Sequence, residues 1–550
     1  MRIIVRDGGL EIDAPRFAAR LKGAALVSFR SKAKGVEFCR RDENGWPLEL
    51  TYTDGSVLKA DVRQQVRVIG LSDLAARVIL EGADSDRELF VRLDPETGDL
   101  CVTPSGQSAR RGVVAVRWNI PYKAEAELIL PCINGLSVAT ERPYPSPQRF
   151  RWPFVWNTQL AIAQRDGSSM MVHTEDRRGV FKALNLARAS DGRTTLGFDS
   201  EEVGPLAQNR AAGGVEWRLN AYDGDWRVPA DRYRGWMETA YGLAAKRATR
   251  PAWVDKIAFT VQWCALHPPL LDQLASLFPP ERTLLHVPGW RSDGYDINYP
   301  DYNPSPEAQA FVAHANDLGF RVMPHFNYFS CWERHPLYAR LCDWQVRDAY
   351  TNAPLGWYWP PESHEHTRMG YIHPGLGLWR RTLIDRLRAA CSELDVPAAF
   401  IDQTLCVWNA DNGLVENANM PQGLERLQEQ MAAIDPSVVL AGEGCHEISF
   451  QRECFAQAHI MDGWRTEGLG QDQLDAVHPI GSYLWRGHTR LVGYYHLSPF
   501  DEDLALGAAI YEKMGVMPTF DGRHGKKDAT AYSDGNPILH RILERARAAL

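Results

Sequence analysis

Two apolar runs in the second half of the chain each end in a carboxylic acid: Asp402 closes PAAFID and Glu443 closes SVVLAGE. Glycoside hydrolysis needs such a pair, one acid to protonate the leaving oxygen and one carboxylate to attack the anomeric carbon or activate a water. A strand buried on both faces reads as a continuous apolar run, and an acid at its carboxyl end is delivered to the mouth of a parallel barrel. Neighbouring strands lie about 4.8 Å apart, so acids at equal height approach the roughly 5–5.5 Å of a retaining pair. Their ionisation must divide. One carboxyl must stay charged, helped by hydrogen bonds or, for Asp402, by a cation such as Arg291, while the other keeps its proton. The plain alternative for Asp402 is a helix cap or a salt-bridged strand end. For Glu443 it is a structural acid, a role open also to Glu447 in AGEGCHE, although Gly442 and Gly444 on either side would let a substrate come close.

The elements that must hold these acids follow from the period of the sequence. Residues 256–263 (KIAFTVQW), 282–290 (RTLLHVPGW), 319–329 (GFRVMPHFNYF), 397–404 (PAAFIDQT), 437–444 (SVVLAGEG), 458–464 (AHIMDGW), 489–496 (TRLVGYYH) and 515–520 (GVMPTF) are strand candidates. Helix-length segments such as SPEAQAFVAHANDLG, GLWRRTLIDRLRAACSEL and MPQGLERLQEQMAAI lie between most of them, and PILHRILERARAAL closes the chain. Eight strand–helix units over residues 251–550 match a (β/α)8 TIM barrel in count and length. Residues 1–228 instead alternate short strand-like runs with Asp-Gly turns at 54–55, 166–167, 191–192 and 223–224, the rhythm of an all-β antiparallel sandwich. A linker helix is predicted over 229–250, ending before Pro251. The excess length after the third barrel strand, about residues 330–378, forms an insert at the barrel mouth.

At the other strand ends and in the loops that follow stand the candidates for substrate binding: Trp263, Trp290, Arg291, Asp293, His325, Asn327, Trp408, Asp462, Trp464 and His496. Gln262 and Asp521 occupy similar places. Tryptophan faces stack on the apolar C–H faces of sugar rings, and Trp332, Trp357, Tyr358 and Trp359 in the insert add to the supply, although buried packing is the default for any single one. For Asp462, acid/base, substrate-binding and structural roles compete. His364 and His366 in ESHEHT read as a solvated loop rather than a metal site. Asp293 and Asp296 lack the glutamate that closes a calcium loop. No metal or cofactor is expected.

Composition narrows the partners. With 550 residues, 45% hydrophobic and 24% charged, the chain is an ordinary globular one, and a net charge of -8 leaves no basic surplus for a phosphate backbone. Nucleic acid is therefore not expected. No run of 18 apolar residues suggests a membrane partner. The opening MRIIVRDGG reads as a first strand rather than a secretion signal, and ten cysteines without C-x-x-C suit a reducing compartment, so a cytoplasmic location is expected. The expected partner is an oligosaccharide or glycoside; the sequence does not fix the oligomeric state.

The stretch PGWRSDGYDINYPDYNPSPEAQAFVAHANDLGFRVMPHFNYF resembles the barrels of the α-galactosidase and α-glucosidase superfamily and of the endo-α-N-acetylgalactosaminidases, as does the order of sandwich, linker helix and barrel. The resemblance implies a nucleophilic aspartate ending strand four, which Asp402 matches. In α-galactosidases the acid/base is an aspartate associated with strand six, for which Asp462 is the nearest match. In the endo-α-N-acetylgalactosaminidases it is a glutamate ending strand five, which Glu443 fits better. The chain departs from the α-galactosidases at Phe400, where they carry a lysine. The sequence thus reads as a retaining glycosidase for an α-linkage, with Asp402 as nucleophile and Glu443 as general acid/base. The rivals are an α-galactosidase-like pair of Asp402 with Asp462, and a non-catalytic carbohydrate-binding protein on an inactive barrel. A lyase or isomerase would call for a lysine base or a metal cluster at the strand ends, and none is evident.

Overall fold

The computed structural model describes residues 1–39, 47–59, 64–139, 148–188, 194–294, 297–357, 368–459 and 469–550. Asp191, Gly192, Asp296, Tyr358, Trp359, His364, His366, Asp462 and Trp464, all singled out from the sequence, lie outside the described residues. Internal contacts divide the chain into two units, one of Met1–Ala240 with Ala349–Thr351 and Asn409–Gly413, the other of Tyr241–Asp348, Asn352–Trp408 and Leu414–Leu550.

The first unit is β-rich, as its turn rhythm predicts. Its strands form antiparallel sheets of four, ten and six. Alternation sets the inner faces: along Ser85–Leu93 every second residue is buried, and this strand pairs in unbroken register with Leu100–Ser108. Between Leu160–Arg165 and Ser168–His173, Asp166 and Gly167 both take positive φ, 48° and 68°, the conformation that a two-residue primed turn demands. Trp156 stacks on Trp217 at 6.1 Å in the interior.

The second unit is the (β/α)8 barrel. Its strands are Phe259–Gln262, Thr283–Val287, Arg321–Asn327, Ala398–Asp402, Val439–Glu443, Glu453–Gln457, Arg490–Val492 and Thr519–Asp521. They run parallel in that order, and the eighth pairs with the first. At the seam between the seventh and eighth, the N–H of Met517 donates to the carbonyl of Leu491 at 2.8 Å. Leu284, Met323, Ala398, Phe400, Val439, Ala441, Phe455 and Val492 fill the barrel, so it is a packed core with chemistry left only to its rim. The helices start where the sequence supplies caps. Ser305 accepts from the N–H of Ala308 ahead of Pro306–Leu318, and Asn419 with Gln422 forms a capping box at Met420–Ile434. In the helix Gly377–Leu394 a 3.6-residue period puts Leu378, Leu383, Leu387 and Ala390 on one apolar face; the last three are buried with Ile384, and Leu378 is half-buried.

One strand lies elsewhere than predicted. The sixth is Glu453–Gln457, not the AHIM run that follows it, and only the short 3-10 turn Ser449–Gln451 separates it from the fifth. Buried Glu453 and Gln457 at its two ends broke the apolar signature on which the sequence reading relied. The insert after the third strand holds a small antiparallel sheet of Ser330–Trp332, Gly356–Trp357 and Met369–Tyr371. No helix among the described residues is long and apolar enough to cross a membrane.

Candidate active site

Asp402 and Glu443 end adjacent parallel strands in matched register, Ile401 standing opposite Gly442 one residue earlier. They are 8% and 2% exposed, so both carboxyls are largely withdrawn from water. Asp402 Oδ2 lies 3.4 Å from Asn327 Nδ2 and 3.6 Å from His325 Nε2, two side chains from the third strand. Glu443 Oε2 accepts the backbone N–H of Gln403 at 3.1 Å, and its Oε1 lies 3.4 Å from His459 Nε2. Burial, and then the charge of Asp402, push the Glu443 carboxyl up to about 7, against the opposing pull of His459 and the Gln403 N–H. The arrangement thus offers a carboxyl that keeps its proton near neutral pH next to a second carboxyl.

Gln403 organises the floor around this pair. Its Oε1 accepts from Asn327 Nδ2 at 2.8 Å and from Ser330 Oγ at 3.2 Å, and its Nε2 donates to Tyr371 Oη at 3.2 Å. Its φ of 61° is left-handed, as are those of Trp263 (51°), just past the first strand, and His496 (63°), in the loop after the seventh. Non-glycine residues held there store strain, which collects at sites where the fold dictates side-chain placement.

A directional chain of imidazoles reaches Asp402 from inside the barrel. The backbone N–H of Trp263, which can only donate, points at His286 Nδ1 across 3.4 Å. His286 is wholly buried and its pKa is driven well below the ordinary histidine value by burial and by His325, so the ring is neutral and its single proton sits on Nε2. That proton faces His325 Nδ1 at 3.1 Å, which leaves the His325 proton on Nε2, directed at Asp402. Phe400 packs on both rings, with centroids 4.3 Å from His286 and 5.3 Å from His325. Where the α-galactosidases place a lysine, this chain thus has an apolar ring that keeps the pair dry.

The other sequence candidates fall in different places. Trp263 stacks on Tyr495 at 5.6 Å, and Arg523 lies over that tyrosine at 3.7 Å. Trp408 is half-buried beside Phe329 and Tyr371. Trp290 is fully buried and donates to the His325 carbonyl at 2.8 Å, so it braces the third strand and has no exposed face for a sugar. Arg291 is not the cation beside Asp402: its guanidinium donates to the carbonyls of Gly294, Ile297 and Asp301 and lies over Tyr299, tying down the loop after the second strand. Asp293 is half-buried in that same loop, 3.5 Å from Asn298. His496 Nδ1 pairs with Asp503 at 2.9 Å. Among the described residues no cluster of three or more His, Cys, Asp or Glu could hold a metal ion. Sequence reasoning passed over His286, Gln403, His459 and Tyr371. A polar residue inside an apolar run was the available signal for His286 in RTLLHVPGW; the others become visible only when the strands close on one another.

A family model described as Domain of unknown function (DUF6259) matches residues 215–426. No curated protein matches the sequence. Among solved structures, the ligand-free α-N-acetylgalactosaminidase NagBb from Bifidobacterium bifidum is similar over 100% of this chain and 93% of its own, with a TM-score of 0.70 at 13% identity. The fold is shared. The same enzyme in its GalNAc complex aligns with a TM-score of 0.67 at 14% identity over the same shares of both chains.

Proposed function

We propose that the chain is a retaining glycoside hydrolase acting on an α-linked glycoside, with Asp402 as nucleophile. The observation that carries this reading is the pair of withdrawn carboxyls at the ends of the fourth and fifth barrel strands, one of them pushed up to about 7 and the other presented with His325 and Asn327 as its neighbours. Similarity of fold to the α-N-acetylgalactosaminidase NagBb supports the α-linkage. Retaining enzymes of the α-galactosidase type work with two aspartates, and the comparisons favour Asp462 as the acid/base over the Glu443 expected from the strand ends. In that assignment Glu443, kept protonated, spares Asp402 a second negative charge at its side. The second reading makes Glu443 itself the acid/base, and what favours it is its pKa near the operating range of a general acid together with its register beside Asp402.

Aryl and alkyl α-glycosides assayed with three variants separate these readings. Asp402→Ala is expected to abolish turnover and to regain it with azide, giving a product of inverted configuration. Loss of the true acid/base spares substrates whose leaving group needs no proton, and azide then returns a glycosyl azide of retained configuration. That behaviour in Asp462→Ala supports the two-aspartate pair, and in Glu443→Ala the second reading. Wild-type-like turnover in Asp402→Asn would overturn both, and sugar binding without turnover in the wild type would leave a carbohydrate-binding protein.

A further inference from the structure

At the amino-terminal face of the barrel, away from the two acids, lies a cavity of about 300 Å³ between the starts of the fifth and sixth strands. Val439 and Leu440 open one of these strands and Glu453 and Cys454 the other, whereas Glu443 stands at the opposite end of the fifth strand, roughly 13 Å further at about 3.3 Å per residue. Four cations line it: Lys246, Arg247, Arg250 and Arg452. Of the two lining carboxyls, burial pushes Glu453 up to about 8, so that it is neutral at physiological pH, which leaves Glu429 as the one ionised acid in the wall. Glu429 is shared, meeting Lys246 at 2.9 Å through one oxygen and Arg452 through the other. Arg250 is held by the His488 carbonyl and by Asp255. Arg247 donates to the His488 ring. The Nε of Arg452 is buried with no acceptor among the described residues. Pro436, Val438 and Leu440 supply apolar wall.

We propose that this cavity binds a phosphorylated small organic molecule, its phosphate oxygens held by Arg247 and Arg452 and its body against the apolar wall. Guanidinium groups present paired donors that match phosphate geometry, and here they sit in a pocket whose walls carry excess positive charge. The volume lies at the low end for small-molecule sites and exceeds what a bare phosphate fills. Nothing in this inference depends on the glycosidase reading, because the cavity and the acids are at opposite ends of the strands.

Calorimetric titration with glucose 6-phosphate, inorganic phosphate and glucose, at ionic strength held constant with sodium chloride, tests it. Glucose 6-phosphate is expected to bind saturably, inorganic phosphate more weakly, and glucose not at all at this site. The double variant Arg247→Gln/Arg452→Gln is expected to weaken both phosphates by at least roughly tenfold, and Asp402→Asn to leave them unchanged. If the double variant lacks the wild-type circular dichroism spectrum, Arg247→Gln alone takes its place. Absence of saturable binding by either phosphate at millimolar concentration, or undiminished binding in the folded variant, would overturn the proposal. Equal affinity for inorganic phosphate and glucose 6-phosphate would show a simple anion site and overturn the organic ligand.

Discussion

The N–H of Gln403, the residue after Asp402, donates to Glu443 Oε2 at 3.1 Å, so the turn that presents the first acid also fixes the second. A proton shared by such a pair governs activity through its pKa. Glu443 gives up its proton near pH 7, and above that value two negative charges face each other in a site with little water. The pH profile of kcat/KM is therefore expected to fall on its alkaline side with an apparent pKa of about 7. In Glu443→Gln that limb should vanish whatever the residual rate. A limb that persists unchanged in the variant would show that another group controls it.

The same carboxyl links stability to pH. Folded Glu443 holds its proton to about pH 7, whereas the unfolded chain releases it near 4.5. Between these values the native state carries the extra proton, so stability is fullest below 4.5 and is lost as pH rises through 7. Glu453, pushed up to about 8, acts in the same sense and extends the decline. Urea unfolding at pH 5 and pH 7.5 should show Glu443→Gln losing less stability between the two than the wild type. Equal losses would mean that Glu443 is ionised in the fold.

His286 is a positioning residue, since it reaches Asp402 only through His325. With His286→Phe the ring volume stays but His325 loses the partner that assigns its proton, and the tautomer that points N–H at Asp402 is no longer enforced. A fall in kcat of roughly ten- to a hundredfold with KM little changed is expected, the scale seen when an orienting partner is removed. His286→Asn, whose amide can still donate, should recover part of the rate. An unaltered pH profile and kcat in His286→Phe would leave the histidine pair a packing feature.

The barrel was legible because a parallel strand covered on both sides has a composition of its own, as in Thr283–Val287 and Ala398–Asp402, and because helix-length segments lie between most of the strands. It was least legible where polar groups are buried in strands. Glu453 and Gln457 disguised the sixth strand, and Gln457 Nε2 donates to Gln262 Oε1 on the first strand, at 2.8 Å. No local pattern reveals a hydrogen bond between residues so far apart in sequence. Trp290 and Arg291 illustrate the same limit: both follow a strand as site residues do, yet the backbone carbonyls they hold turn them into supports.

Gly442 shows how a residue beside the site serves packing. The sequence suggested that it gives a substrate room, but a Cβ there would meet Glu453 Oε1 at 2.2 Å and Thr404 Oγ1 at 2.4 Å. The space is already filled by the side chain of Glu453, whose Oε1 also accepts from Gln428 Nε2 at 2.8 Å. Gly442→Ala must displace a buried, hydrogen-bonded carboxyl, and a loss of about 1–3 kcal/mol is expected from overpacking. Because Gly442 immediately precedes Glu443, the strand end should shift with it and kcat should fall as well. If Glu453 is first shortened, in Glu453→Ala/Gly442→Ala, the added methyl has only the Thr404 hydroxyl left to displace, and the second substitution should cost less than in the wild-type background. Additive losses in this cycle would show that the two residues do not compete for one volume.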